Sequence, residues 1–286
     1  VSTPTTFDVP RPSDVAPSWT ANTIGTNWQW HLDDRQIEEL VRAGNGIDTT
    51  DREALVALAL APPALPSLAE RIDQLRSNLL HGHGLELIRG LPVDDIGDAA
   101  ATGAMLAFAS HLGPGGDSLV VNAQAVYHAV YNRRPDLVAH LFSPLATDRR
   151  GEVPADADPW FTIPVFTWFD GRLTVMYQRQ YIDSAQRFAE APALLADQIA
   201  ALDVFDEVCN DPALQARMTL EVGDMQFVHN HSVLHDRTGF VDDPARPRHL
   251  IRTWTSVPED RALHPVFEQR YGSVIPGERG GVNTTT

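Results

Sequence analysis

The sequence holds a single cysteine, Cys209, in 286 residues. An intrachain disulfide framework is therefore excluded, and a lone thiol suits a reducing cytoplasm. Positive charge is also scarce: 22 Lys and Arg stand against 38 Asp and Glu, a formal net charge of −16. Binding a phosphate backbone needs a basic surface, so no nucleic-acid partner is expected. No apolar run approaches the ~20 residues of a membrane-spanning helix, and no signal peptide opens the chain, which argues against a membrane partner. The first residue is valine, which reads as a chain that does not span the whole translated protein.

What remains is an ordinary globular composition, 43% hydrophobic and 21% charged, with length enough for a packed core. Residues 1–27 are rich in Pro, Ser and Thr and read as an extended, poorly ordered arm. A single domain over 28–276 and a polar, mobile tail over 277–286 complete the division. Helical spacing dominates up to His111: Asp33–Ala43, Asp51–Ala61, a third helix opened by the capping box Ser67-x-x-Glu70 and ended at Gly82, and residues 98–111. LELIRG (85–90) and SLVVN (118–122) read as strands, the latter followed by two helices broken near Pro135. TIPVFTWF-DG-RLTVMYQR is a hairpin signal, because Asp170-Gly171 suits a type I′ turn. Residues 191–209 read as an amphipathic helix, RMTLEV-GD-MQFVHN (217–230) as a second hairpin, and RHLIRTWTS (248–256) as a last strand. Helices followed by antiparallel strands define an α+β protein with a sandwich or barrel at its centre.

Chemistry concentrates near the C-terminus. MQFVHNHSVLHDRTGF (225–240) places His229, His231 and His235 within seven positions. On one unbroken strand the three would share a face. Near neighbours on a strand rarely converge on one ion, and structural zinc wants four ligands, so a zinc site from these three alone is a weak reading. His229 and His231 read instead as polar residues at a strand end, bonded to backbone or water. Downstream, Arg248 and Arg252 lie four apart on one face of an apolar strand. Each would need an anion, either a carboxylate of this acidic chain or a bound ligand. Tyr177, Arg179 and Tyr181 alternate as on a strand with one solvated face, and Trp160 and Trp168 read as core.

The stretch VGDMQFVHNHSVLHDRTGF…RPRHLIRTWTS resembles the C-terminal motif of the taurine dioxygenase family of iron(II)/2-oxoglutarate oxygenases, which includes the clavaminate synthase-like enzymes. The resemblance extends through HGLELIRGLP (83–92), GGDSLVVN (115–122), RRPDL (133–137), DRRGE (148–152) and PVFTWFDGRLTVMYQRQYIDSAQRF (164–188). It implies a double-stranded β-helix, a jelly-roll barrel flanked by helices. It implies iron(II), 2-oxoglutarate and molecular oxygen as cofactor and cosubstrates, with two histidines and one carboxylate on the metal. His235 matches the second histidine ligand. Arg248 matches the arginine that grips the far carboxylate of 2-oxoglutarate, where a planar fork suits bidentate pairing, and Ser118 matches the hydroxyl that assists it. Arg252 matches a residue that reaches an anionic group of the substrate, and Asn230 an asparagine that is structural or substrate-facing. A small, anionic or amino-acid-like substrate follows, with hydroxylation the expected outcome.

Half of that site has no counterpart. The family's His-x-Asp/Glu belongs between a helix ending in Leu-Gly and the Gly-Gly-Asp-Ser stretch, which here nearly touch at 112–116. The chain's sole His-x-Asp/Glu is His31-x-Asp33, where Asp33 reads as a helix N-cap. Either a segment is truly deleted, or it belongs to the protein and is missing from this sequence. Loss of a core strand would cost more than a domain's ~5–15 kcal/mol, which favours the second account. A true deletion would instead leave a non-catalytic scaffold that binds small anions through Arg248 and Arg252.

Overall fold

A computed structural model describes residues 7–49, 51, 54, 55, 57, 58, 61–110, 119–154, 157–236, 251, 257 and 259–279. Its order is β1 (Gln29–His31), α1 (Asp34–Gly44), α2 (Ala69–His81), β2 (Leu85–Arg89), α3 (Val93–Ile96), α4 (Asp98–Ala109), β3 (Leu119–Asn122), α5 (Ala123–Arg133) and α6 (Val138–Leu141). There follow β4 (Leu145–Asp148), β5 (Trp160–Ile163), β6 (Phe166–Phe169), β7 (Arg172–Val175), α7 (Arg179–Ala185), α8 (Ala196–Cys209), β8 (Ala216–Arg217), β9 (Met225–Val228), β10 (Val233–Asp236) and α9 (Glu268–Tyr271). Helices and sheets are mixed, as an α+β chain requires. No helix among the described residues is long and apolar enough to cross a membrane.

Local chemistry explains several boundaries. Asp33 caps α1: its carboxylate accepts from the Gln36 amide, and the Gln36 side chain accepts from the Asp33 amide. Asp33 is thus fully explained as a cap. Asn122 does the same for α5, accepting from Gln124 and Ala125. The Asp170-Gly171 turn has both residues at positive φ, 50° and 68°, and joins β6 to β7 in register. Ser67, in contrast, does not cap α2. Its hydroxyl and amide both bind the Glu39 carboxylate on α1, so a tertiary contact replaces the expected capping box.

Two three-stranded sheets carry the centre, in the orders β1-β2-β9 and β10-β3-β8. The expected hairpin over 217–230 is not formed: β8 pairs with β3 and β9 with β2, so the two strands part at Gly223 into different sheets. Gly223, at φ +88°, lets that turn press against Leu91, whose carbonyl oxygen would lie 1.9 Å from any added Cβ. Leu85, Leu87, Val120, Ala216 and Val233 pack with Trp19 and Trp28 in one cluster shared by the two sheets. A larger cluster centred on Tyr127, Phe142, Phe166 and Phe205 lies under α5, α6 and α8. A third joins Leu40, Leu75, Ile88, Phe108 and Phe227 beneath α1, α2 and α4.

The N-terminal arm from Phe7 to Trp28 carries no helix or strand, yet it is anchored. Val15, Trp19 and Ile24 are buried, Tyr127 donates its hydroxyl to the Pro10 carbonyl, and the Trp19 indole donates to His83 O at 2.7 Å. The helix expected over 191–209 begins only at Ala196.

Candidate functional site

His235 lies on β10, opposite Val120 of β3. Paired residues of antiparallel strands share a face, and Val120 belongs to the cluster between the sheets. The register therefore sets His235 on the inter-sheet face. Its Nε2 is 3.2 Å from Asn230 Oδ1, so two of the sequence-derived site residues meet. Ser118, Arg248 and Arg252 fall outside the described residues, as does the strand expected over 248–256 apart from Ile251.

Beside His235 opens a cavity of about 360 Å³, walled by Val120, Leu234, Tyr177, Arg179, Tyr181 and Asp206 among others. The alternation of Tyr177, Arg179 and Tyr181 suggested a strand with one wet face. The strand ends at Val175 instead, Arg179 opens α7, and all three residues reach the cavity wall. Tyr177 donates its hydroxyl to Asp206, and Arg179 reaches Asp206 at 2.8 Å, Asp203 at 2.9 Å and Asp183 at 3.0 Å. Burial, reinforced by the Asp206 carboxylate, holds the Tyr177 phenol far above its ordinary value. For Arg179 the carboxylate bonds outweigh burial and push its pKa up, so its charge is fixed and already matched.

A second polar centre forms where β9 gives way to β10. His229, His231 and His235 do not lie on one strand: residues 229–232 turn, with Ser232 N and Val233 N both donating to His229 O. The turn parts His229 and His231 from His235 and aims the first pair at the C-terminal segment. His229 Nδ1 lies 2.7 Å from Ser232 Oγ, and Nε2 lies 2.9 Å from Asp260 Oδ1. His231 Nδ1 is 3.9 Å from Asp260 Oδ2. The reading of this pair as strand-end residues bonded to backbone or water is thus corrected: their partner is a carboxylate. The His231 ring stands edge-on to Phe267 and Tyr271.

Burial dominates the titration of this centre. It pushes His229 below the ordinary imidazole range, against the pull of Asp260, and His231 down to about 3. Burial acts to raise Asp260 too, but the His229 hydrogen bond, the interactions with the two imidazoles and the Arg261 amide outweigh it and hold the carboxyl well below its usual range. Neutral imidazoles beside an ionised carboxylate are the states that ligate metals. Among the described residues, these three form the one His/Cys/Asp/Glu group whose ligand atoms converge, all within 4.8 Å. Sequence reasoning missed Asp260 because no motif ties it to histidines 29 and 31 positions earlier.

Residues 98–254, more than half of the chain, match the family described as Taurine catabolism dioxygenase TauD, TfdA family, and the chain belongs to it. It is an enzyme of that family. The chain is 24% identical to FR-33289 synthase of Streptomyces rubellomurinus, with 82% of this chain and 87% of that protein covered. It is 30% identical to a uridine-5′-phosphate dioxygenase of an Amycolatopsis species, with 56% of each covered. In fold it is similar to asparagine oxygenase, solved with Fe(II), 3-hydroxyasparagine and succinate, at a TM-score of 0.60 and 15% identity, covering 80% of this chain and 93% of that one. The iron oxygenase OrfP gives a TM-score of 0.52 at 12% identity, covering 76% and 89%.

Proposed function

We propose that the chain is an iron(II)/2-oxoglutarate-dependent oxygenase that oxidises a C–H bond of a small, anionic or amino-acid-like molecule. One observation carries the reading: within the family match, the motif histidine His235 occupies the inter-sheet face of β10 with Asn230 against its ring. The two sheets are then parts of the family's jelly-roll barrel. Relatives support the substrate class: one is named for a nucleotide, and OrfP was solved with dihydroxyarginine and succinate.

In this reading His235 is an iron ligand and Asn230, bonded to its ring, fixes the ring's orientation. Arg248 and Ser118 hold 2-oxoglutarate, and Arg252 meets the substrate's anionic group. When bound, iron(II) would let dioxygen, the oxidant, take two electrons from 2-oxoglutarate, giving succinate and carbon dioxide, and two from the substrate C–H bond. The chain's residues orient substrate and keep competing groups away.

The family centre needs two imidazoles and a carboxylate. Among the described residues no such group converges on His235, so those residues do not by themselves fit a complete iron centre. The reading places the missing ligands in a segment absent between about 112 and 116. In support, the alignment to FR-33289 synthase runs over 301 residues but spans 82% of this 286-residue chain, about 235 residues, leaving about 66 positions unmatched here.

The test is succinate formation from 2-oxoglutarate with iron(II), ascorbate and candidate amino acids and nucleotides, beside the intact mass of the natively produced protein. Turnover that His235→Ala abolishes is expected, from a protein several kilodaltons above 31.4 kDa. Absence of turnover in such a longer, iron-loaded protein would refute the proposal.

A further inference from the structure

We propose that His229, His231 and Asp260 bind one divalent transition-metal ion, at a site separate from the family centre at His235. The inference rests on geometry alone and holds whether or not His235 ligates iron.

Two imidazoles and a carboxylate are a borderline nitrogen and oxygen donor set, suited to zinc, iron(II) or cobalt(II) rather than magnesium or calcium. Bonds of about 2.1 Å at right angles place neighbouring donors about 3 Å apart. The His229 Nε2 to Asp260 Oδ1 edge, 2.9 Å, already has that length. The His231 Nδ1 to Asp260 Oδ2 edge, 3.9 Å, closes to it through a shift of about 1 Å. The centre is shielded: His229 is 8% exposed at its side chain, Asp260 11% and His231 14%.

A purely structural clamp explains part of this arrangement. His229 bridges Ser232 and Asp260, Arg261 N donates to Asp260 Oδ1 at 2.6 Å, and Arg279 Nη1 lies 3.4 Å from Oδ2. It leaves the second histidine unexplained. His231 Nε2 is buried without a hydrogen-bond partner among the described residues, a state that costs about 1–3 kcal/mol. Phenylalanine would fill the same space between Phe267 and Tyr271 without that cost. An ion on Nδ1 gives His231 a bond that phenylalanine could not make. It replaces the hydrogen bond between His229 Nε2 and Asp260 Oδ1, leaves His229 Nδ1–H to donate to Ser232 Oγ, and weakens the long Arg279 contact. It also joins the 229–232 turn to the C-terminal segment through Asp260.

The experiment is a cobalt(II) titration of the purified, chelator-treated full chain, read by visible d–d absorption and by the melting temperature. One equivalent is expected to bind at this site, counted in His235→Ala where the family centre is removed, with a rise in melting temperature. His231→Phe preserves the ring packing and is expected to weaken binding at least 10-fold, while its metal-free melting temperature stays at or above that of the parent. Asp260→Asn weakens binding likewise, and His235→Ala retains it. No cobalt bound by the parent chain, or binding abolished by His235→Ala and untouched by His231→Phe, overturns the site. Succinate formation does not enter either outcome, so failure here is separable from failure of the oxygenase reading.

Discussion

Gly44 at the end of α1 and Gly103 in the middle of α4 meet backbone to backbone. A Cβ on Gly103 would stand 2.3 Å from the Gly44 carbonyl oxygen, and one on Gly44 would stand 2.1 Å from the Ala104 amide. Neither obstacle is a flexible side chain, so the helices themselves must part. Helix propensity favours Gly103→Ala by about 1 kcal/mol, but overpacking against backbone costs about 1–3 kcal/mol or more. Urea unfolding of Gly103→Ala is expected to show a net loss of stability. A gain would mean that the helices do not touch there.

Glu86 on β2 is 2% exposed, with one carboxylate oxygen taking the Asn78 amide and the other without a partner among the described residues. Burial raises its pKa, only partly countered by Asn78 and Arg71. The folded chain therefore holds this proton at a pH where the unfolded chain has lost it. Stability falls as pH climbs from the ordinary glutamate value through the raised one. Glu86→Gln is expected to flatten that part of the stability profile and to gain on the order of 1 kcal/mol at neutral pH. Melting temperatures of both proteins between pH 4 and 8 check it.

Asp33→Ala should cost about 1 kcal/mol by removing the cap of α1, while Asp33→Ser keeps most of it. If His31 and Asp33 were metal ligands instead, the serine variant would lose any iron-dependent turnover. Unchanged turnover in both variants is expected.

The two motif arginines should separate kinetically. Losing a charge-assisted bond worth on the order of 2 kcal/mol corresponds to about 30-fold. Arg248→Ala is expected to raise KM for 2-oxoglutarate by that order, and Arg252→Ala to raise KM for the anionic substrate. Equal effects of both on both ligands would undo the division of roles.

How far the sequence reached depended on the distance over which each choice was made. The Asp170-Gly171 hairpin was legible because its two residues carry the turn and its strands have no nearer partners. The strands around Gly223 have the same local look but different partners, β3 and β2, chosen by the packing of two sheets. Ser67 failed as a cap for the same reason: Glu39, 28 residues away, took its hydroxyl. His235 was legible as a family motif residue, and its meeting with Asn230 is local. The spacing of His229 and His231 looked like strand periodicity, but a turn reversed its meaning, and Asp260 reached them through a tertiary contact. The ion-paired wall formed by Arg179 with Asp183, Asp203 and Asp206 was equally hidden, since two of its carboxylates come from α8.

The stretch from Phe7 to Trp28 is stitched to three distant places: to Tyr127 through Pro10 O, to His128 through Val15 O at 3.1 Å, and to His83 through the Trp19 indole. A peptide without helix or strand thus acts as a lace across the outside of α5 and the start of β2. Cutting it anywhere beyond Pro10 would strand a phenol in an apolar interior and uncover aromatic faces, so a shortened version of this enzyme is expected to melt at a lower temperature.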